Sequence, residues 1–156
     1  MRVGVKVLAG LLANALLSAC ATAPPSDYSV TNSRFYPLRK DEVYDRMLAV
    51  SARQSYYVTA SDRRNGVLNL ERALVAPDRT GAVHNWADCG SVSLLEQPVS
   101  QLVELSVVVE PSGPGSTVTI NSRFSETRRD VKRATRRVLC TTTGQLEFEM
   151  LATLAR

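Results

Sequence analysis

One short segment gathers the side chains of this sequence that most readily do chemistry. The only histidine, His84, and the only tryptophan, Trp86, lie within a few residues of Asp88 and Cys89. A loop that carries such residues on a rigid scaffold is typical of a recognition surface. A histidine–aspartate pair also suggests acyl transfer, but no nucleophile-elbow motif completes a triad. We predict partner binding at His84 and Trp86 and no catalytic residue; alternatively, Trp86 plugs a sheet edge and His84 is merely exposed.

A second candidate site is the arginine-rich segment 123–137. Seven cationic side chains and two carboxylates give it a net charge of +5 over fifteen residues. Guanidinium groups bind phosphates through forked donors, and anionic lipid surfaces attract basic segments. The partner is then a phospholipid headgroup, a lipopolysaccharide phosphate or an acidic protein, and the predicted contact residues are Arg128, Arg129, Arg133, Arg136 and Arg137. The alternative is a solvated loop or short helix with core-facing residues Val131, Ala134 and Val138.

The composition of the chain limits its partners. The 156 residues contain 19 Lys and Arg against 15 Asp and Glu, a net charge of +4. Arg2 and Lys6 account for half of this surplus, and the remainder is too small for the usual basic nucleic-acid binder. Hydrophobic residues at 44% are typical of one folded domain. A single histidine and no closely spaced cysteine pair give no metal-binding pattern, so we predict no metal and no cofactor.

The first twenty residues are typical of an export signal. Arg2 and Lys6 precede an apolar run over residues 7–17, which is shorter than the roughly 20 residues that a transmembrane helix needs. The run ends in Leu17-Ser18-Ala19-Cys20, which resembles the lipobox of bacterial lipoproteins. The alternative is an ordinary signal peptide with a cysteine at its cleavage site.

The lipobox resemblance implies a location. Residues 1–19 are then a lipoprotein signal peptide. The thiol of Cys20 carries diacylglycerol, and its amine is acylated with a fatty acid such as palmitate. Ala21, in place of an aspartate, implies the outer membrane of a Gram-negative bacterium and its periplasmic face. Residues 20–36, with their paired prolines, are predicted to be the lipidated cysteine and a flexible tether, and residues 37–156 a single domain.

The predicted location also bears on the pairing of the two other cysteines. With Cys20 lipidated, Cys89 and Cys140 form an even pair in an oxidising compartment, for which a disulfide is the simplest account. Free thiols, a metal site and a catalytic thiol remain alternatives. A disulfide would tie down the irregular stretch 75–90.

Elements of regular structure must position these candidates. Apolar spacing predicts helices over 39–55 and after Thr142, where Thr142 and Gln145 have capping-box spacing. Alternation predicts strands at 56–61, 68–71, 91–96, 102–110 and 117–124. The Asn65-Gly66 step predicts one hairpin turn, and the Pro/Gly-rich stretch 111–115 predicts another.

These elements predict an α+β domain. An antiparallel sheet of about four to five strands has one apolar face, and an N-terminal and a C-terminal helix cover it. The element order and the Asp62–Gly66 hairpin after the first helix resemble the helix-grip domains of BamC-type lipoproteins of outer-membrane protein assembly. The resemblance implies a fold and a protein-binding style, and it transfers no catalytic residue.

The predicted function is non-catalytic. We expect a binding or envelope-assembly module, anchored to the membrane by its lipid, with an envelope protein as a further partner. One alternative is a carrier of lipid or a small ligand in an apolar cavity between sheet and helix. Another is a hydrolytic envelope enzyme. The sequence does not assign an oligomeric state.

Overall fold

A computed structural model describes residues 26–75 and 83–155 of the chain. Its helices are α1 (Lys40–Arg53), the single turn α2 (Val83–Trp86) and α3 (Gln145–Leu154). Its strands are β1 (Ser33–Tyr36), β2 (Tyr57–Asp62), β3 (Val67–Val75), β4 (Ala87–Asp88), β5 (Glu96–Ser112), β6 (Gly115–Asp130) and β7 (Thr135–Thr142). The predicted signal peptide, Cys20 and the first part of the tether lie outside the described residues.

All strand pairs are antiparallel and belong to one sheet of seven strands. The order is β2-β3-β5-β6-β7-β4, and β1 pairs with the start of β6. The predicted hairpin at 111–115 is confirmed, because β5 and β6 pair along their whole length, with Val107 opposite Ile120. The hairpin at Asn65-Gly66 is also confirmed, since β2 and β3 flank that turn and Gly66 has a φ of 74°. A positive φ suits glycine, which has no Cβ.

The predicted α+β class and its two long helices are confirmed. Side chains of α1, α3, β3, β5 and β6 form a single hydrophobic core, so both helices cover the same face of the sheet, called here the helix face. Its fully enclosed members include Met47, Leu68, Val107, Ile120 and Met150. The strand residues between these point to the opposite face, called the open face.

The prediction of four to five strands was wrong because several strands carry little apolar signal. Strand β1 buries only Tyr36, β4 has two residues, and β7 begins within the arginine-rich segment. The predicted strand at 91–96 is absent, since β5 begins only at Glu96. Leu94, predicted to share one face of that strand with Val92, lies before β5 and is fully exposed.

The folded part begins earlier than the predicted boundary at residue 37. Residues 33–36, assigned to the tether, pair as β1 with residues 116–119 of β6. The buried Tyr36 anchors this strand, and its hydroxyl donates to the carbonyl oxygen of Leu151 at 2.5 Å. The two aromatic residues Phe35 and Tyr36 are adjacent rather than alternating, so the segment shows no two-residue period, which is why the pattern missed the strand.

The start of α3 differs from the expected capping box. Its N-cap is Gly144, with a φ of 84°, and Gln145 does not cap Thr142. The Thr142 hydroxyl lies 3.0 and 3.1 Å from the two carboxylate oxygens of Glu147. Ser122 also donates to Glu147, so this carboxylate, which is 1% exposed, is buried among hydroxyl groups.

Candidate functional site

The arginine-rich segment forms the second half of β6, a turn at 131–134 and the first three residues of β7. Arg128 lies opposite Arg136, and Arg129 lies opposite Thr135. The alternative of a solvated loop or short helix with Val131 facing the core is therefore wrong, because Val131 is 72% exposed at the turn. Since strand side chains alternate between faces, consecutive arginines are sent to different environments.

Arg128 lies in the interior on the helix face. It is 2% exposed, and its Nε donates to Glu126 Oε1 at 2.7 Å. Its two terminal nitrogens donate to the carbonyl oxygens of three residues, Cys89, Gly90 and Ser91. Gln101 donates to the second oxygen of Glu126 at 2.8 Å. We call Gln101, Glu126 and Arg128 the Arg128 cluster; its arginine is used within the protein and is not available at the surface.

The Arg128 cluster fastens the segment that carries the disulfide. Cys89 and Cys140 are bonded at an Sγ–Sγ distance of 2.05 Å, which confirms the predicted pair. The disulfide links the end of β4 to β7, 51 residues apart in sequence. On the chain-entropy model, closing a loop of that length stabilises the fold by about 4 kcal/mol. Arg128 adds a second, polar attachment of the same segment.

Two further arginines of the segment form ion pairs. Arg136 binds Glu96 through two bonds, Nε–Oε1 at 2.6 Å and Nη2–Oε2 at 2.7 Å. Donation from Arg136 lowers the pKa of Glu96, and the same bond raises the pKa of Arg136. Arg137 lies 3.6 Å from the Glu104 carboxylate. The guanidinium donors of Arg136 and Arg137 are therefore partly occupied by carboxylates of the protein itself.

The end of β6 and the β6–β7 turn carry three cations that no ion pair within the described residues compensates. Asp130 builds the turn, because its Oδ1 accepts from the backbone nitrogens of Lys132 and Ala134, both at 2.8 Å. Arg133 has a φ of 68°, a left-handed conformation rare for a side chain of this size. Across residues 26–75 and 83–155, no carboxylate forms an ion pair with Arg129, Lys132 or Arg133.

Exposed apolar side chains lie beside these cations. Leu94 is fully exposed, and Leu95 and Val131 are 64% and 72% exposed. Leu94, Leu95, Arg129 and Val131 line one shallow groove of about 220 Å³, together with Glu96, Gln97 and Asp130. We call the following set the basic tip: Leu94, Leu95, Arg129, Val131, Lys132 and Arg133. The two leucines were missed because alternation in 91–96 indicated a strand; a Leu-Leu pair just before a strand was the available signal.

Trp86 lies away from the basic tip and is half-buried. It packs against the hydrophobic core, and its Nε1 donates to Glu149 Oε2 at 3.1 Å. Glu149 also accepts from Gln145 at 2.9 Å. Trp86 therefore joins α2 to α3, in line with the alternative of a plug at the sheet edge, and its role in partner binding stays a prediction. The side chain of His84 lies outside the described residues.

Asp88 receives the N-terminal segment. Its carboxylate accepts from the backbone nitrogen of Ser26 at 3.0 Å, from the Tyr28 hydroxyl at 3.3 Å and from the backbone nitrogen of Gly90 at 2.8 Å. The Ser26 and Gly90 backbone bonds lower the pKa of Asp88. The chain upstream of Ser26 therefore starts beside β4 and the disulfide.

The open face of the sheet carries a broader groove of about 470 Å³. Most of its lining residues are polar in type and come from β3, β5 and β6, beside Leu70 and Leu105: Asn69, Glu71, Glu104, Ser106, Asn121 and Arg123. It differs from the apolar cavity expected of a lipid carrier. In the described ranges, no group of three or more His, Cys, Asp or Glu side chains is placed to hold a metal ion.

Among the described residues, no helix combines the length and hydropathy that crossing a bilayer requires. Comparison with known proteins finds no family model that matches the chain and no significant match among curated proteins.

Proposed function

We propose that the protein is an outer-membrane lipoprotein facing the periplasm, whose single α+β domain is a non-catalytic binding or envelope-assembly module. The observation that carries this proposal is the basic tip, where three apolar side chains and three uncompensated cations share one exposed end of the sheet. The lipobox-like Leu17-Ser18-Ala19-Cys20 supports the anchor. A helix-grip arrangement like that of BamC-type domains belongs to this proposal, supported by two helices on one face.

The energetics of the basic tip favour binding over a purely structural role. An exposed leucine has lost no water on folding, so its burial remains available to a partner, at about 25 cal/mol for each Å² of apolar surface. Neighbouring arginines are already used, since Arg128 is buried and Arg136 is paired with Glu96. Apart from Arg123, which lines the groove on the open face, the cations of the arginine-rich segment that face outward without an ion pair in the described ranges are Arg129, Lys132 and Arg133.

The proposed mechanism is localisation. A lipid on Cys20 restricts the domain to a thin layer beside the membrane, which raises its effective concentration toward partners in that layer. The described chain starts at Ser26, whose bond to Asp88 fixes where the tether joins the domain. The domain then presents the basic tip from a fixed attachment point.

The carrier and hydrolase alternatives have less support. The 470 Å³ groove on the open face is lined mainly by polar side chains, which offer little to an acyl chain. Trp86 and Asp88 are both engaged by neighbouring residues, through Glu149 and through Ser26. Neither observation favours a nucleophile, a base and an orienting group in one cleft.

Fractionation of cells tests the anchor. We expect Cys20→Ala to block processing and to remove the chain from the outer-membrane fraction, because no thiol remains to accept diacylglycerol. The matched control is the Ser18→Gly variant, which leaves Cys20 unchanged and keeps a small residue in the lipobox-like motif. A Cys20→Ala chain that is still processed and membrane-bound like the natural chain would refute the proposal.

Photo-crosslinking in intact cells tests the binding surface. A photoreactive amino acid replacing Lys132 is expected to give adducts with an envelope component. The same group replacing Arg64, in the exposed β2–β3 turn, is the control and should give few. Equal labelling from both positions would show that the basic tip has no special role.

A further inference from the structure

We infer that the basic tip docks on an anionic phospholipid surface, with Leu94, Leu95 and Val131 among the headgroups and Arg129, Lys132 and Arg133 on the phosphates. The inference rests on the proposed function, because the surface is that of the membrane to which Cys20 tethers the chain. It adds to that function a partner class and an orientation of the domain.

The pattern of side chains matches an interfacial contact. Peripheral membrane contacts combine apolar side chains that enter the headgroup region with Lys and Arg that stay at its polar level. Here Val131 is followed directly by Lys132 and Arg133 in one turn, and Leu94 and Leu95 lie across the shared groove. Each cation near an anionic surface contributes about a fivefold gain in binding.

The size of the basic tip favours a membrane over an acidic protein. Stable protein–protein interfaces involve about 20 to 30 residues on each side. The basic tip has six, set on two tight turns at one end of the sheet. A small protrusion gains more from a fluid surface that closes around it than from a rigid partner that must match its shape.

The chain length between lipid and domain fits the same surface. Six residue steps separate Cys20 from Ser26, which span at most about 20 Å. Ser26 is bonded to Asp88, and Asp88 lies opposite Thr141 in β7. The six steps from Thr141 to Thr135, which begins β7 at the turn, also cover about 20 Å. An extended tether that runs parallel to β7 can therefore bring the anchor to the same bilayer plane as the basic tip.

The opposite end of the sheet supplies a matched control. The β2–β3 turn adjoins Val67, which lies opposite Val108, twelve residues along β5 from Glu96. Arg64 is exposed in that turn, and Lys40 Nζ donates to its carbonyl oxygen, so Arg39 belongs to the same end. Arg39→Glu with Arg64→Glu changes the net charge as much as Lys132→Glu with Arg133→Glu does.

The experiment uses the lipidated chain purified from its membrane and reconstituted into vesicles. An environment-sensitive fluorophore is attached at Val131→Cys or, as control, at Arg64→Cys, and spin-labelled lipids quench whichever probe enters the bilayer. Vesicles are phosphatidylcholine alone or with about one third phosphatidylglycerol. We expect quenching only at position 131 and only with phosphatidylglycerol.

Charge reversal sharpens the result. Lys132→Glu with Arg133→Glu should lower the ratio of inserted to water-exposed probe at least about 25-fold, from two cations at about fivefold each. Arg39→Glu with Arg64→Glu should leave that ratio within about twofold. Circular dichroism and an intact Cys89–Cys140 disulfide verify that each variant is folded.

The outcomes separate this inference from the proposed function. A probe at Val131 that stays in water, or that inserts equally without phosphatidylglycerol, overturns the inference while the lipid anchor stands. A water-exposed probe together with a protein adduct at Lys132 in cells replaces the membrane by an acidic protein and also overturns it. An unmodified Cys20 in the mass of the native product refutes the proposed function itself.

Discussion

The Arg128 cluster and the basic tip are neighbours in sequence, but one is buried and the other is exposed. Arg128 and Arg129 are adjacent in β6, yet Arg128 is enclosed on the helix face and Arg129 is exposed on the open face. The Arg128 guanidinium has a carboxylate and three carbonyl oxygens as acceptors, whereas Arg129 has no ion pair within the described ranges. A count of charges along a sequence therefore says little until the two-residue period of the strand assigns each one to a face.

The largest effect is expected from removing the buried arginine. Arg128→Met leaves the Glu126 carboxyl group enclosed and without its cation, which typically costs about 3 to 5 kcal/mol of unfolding free energy. Arg129→Met should change that free energy by less than about 0.5 kcal/mol. Urea denaturation of the oxidised protein measures both. Equal losses of unfolding free energy from the two substitutions would contradict the difference between a structural Arg128 and an exposed Arg129.

Loss of the disulfide should come next. Cys89→Ala with Cys140→Ala removes the constraint on the unfolded chain and is expected to cost about 2 to 4 kcal/mol. Because Arg128 still binds the carbonyl oxygens of residues 89–91, some order of this segment should survive in the folded state. Thermal unfolding with and without reductant measures the cost. If reduction of the natural chain left the melting temperature unchanged, the disulfide would contribute little.

A smaller effect, of opposite sign, is expected in the β6–β7 turn. Arg133→Gly relieves a φ of 68° that glycine adopts freely, and it should stabilise the fold by up to about 1 kcal/mol. Arg129→Gly, inside β6, should destabilise by about 0.5 to 1 kcal/mol. Each variant removes one cation, so the pair separates charge from backbone strain. Destabilisation by Arg133→Gly in urea would show that the turn is not strained there.

The smallest effect concerns the ion pair beside the basic tip. Arg136→Gln removes the donor that lowers the pKa of Glu96, so that pKa should return toward its ordinary value. Because the folded-state pKa is lowered, the pair stabilises the protein above the ordinary glutamate pKa, and this contribution is lost as pH falls through the lowered value. NMR titration of the Glu96 carboxylate measures the shift. An unchanged titration in Arg136→Gln would assign the lowered pKa to another cause.

Much of the fold was predictable where one period ran long enough. Val103, Leu105, Val107 and Val109 alternate through β5, and all four are buried. The helices α1 and α3 carry apolar stripes at helical spacing and were found for the same reason. The cysteine pair followed from compartment and parity rather than from spacing.

The candidate site was less predictable because polar side chains occupy the buried positions beside it. Ser122, Glu126 and Arg128 occupy helix-face positions of β6, where a hydrophobic residue is the usual signal. Partners from distant segments satisfy them: Gln101 from β5, Glu147 from α3 and the carbonyl oxygens of 89–91. A local pattern cannot contain such partners. The prediction for Leu94 and Leu95 was wrong for the converse reason, since apolar side chains in alternation indicated a strand where the chain is exposed.

The position of β6 has a consequence for how the domain opens. One edge of β6 is paired with β5 throughout, and the other is shared by β1 over 116–119 and β7 over 124–129. Releasing its backbone thus requires separating strands from both ends of the described chain at once. In deuterated solvent the amide protons of β6 should be the last to exchange, with protection factors that report global unfolding, while those of the edge strand β2 exchange through local fraying.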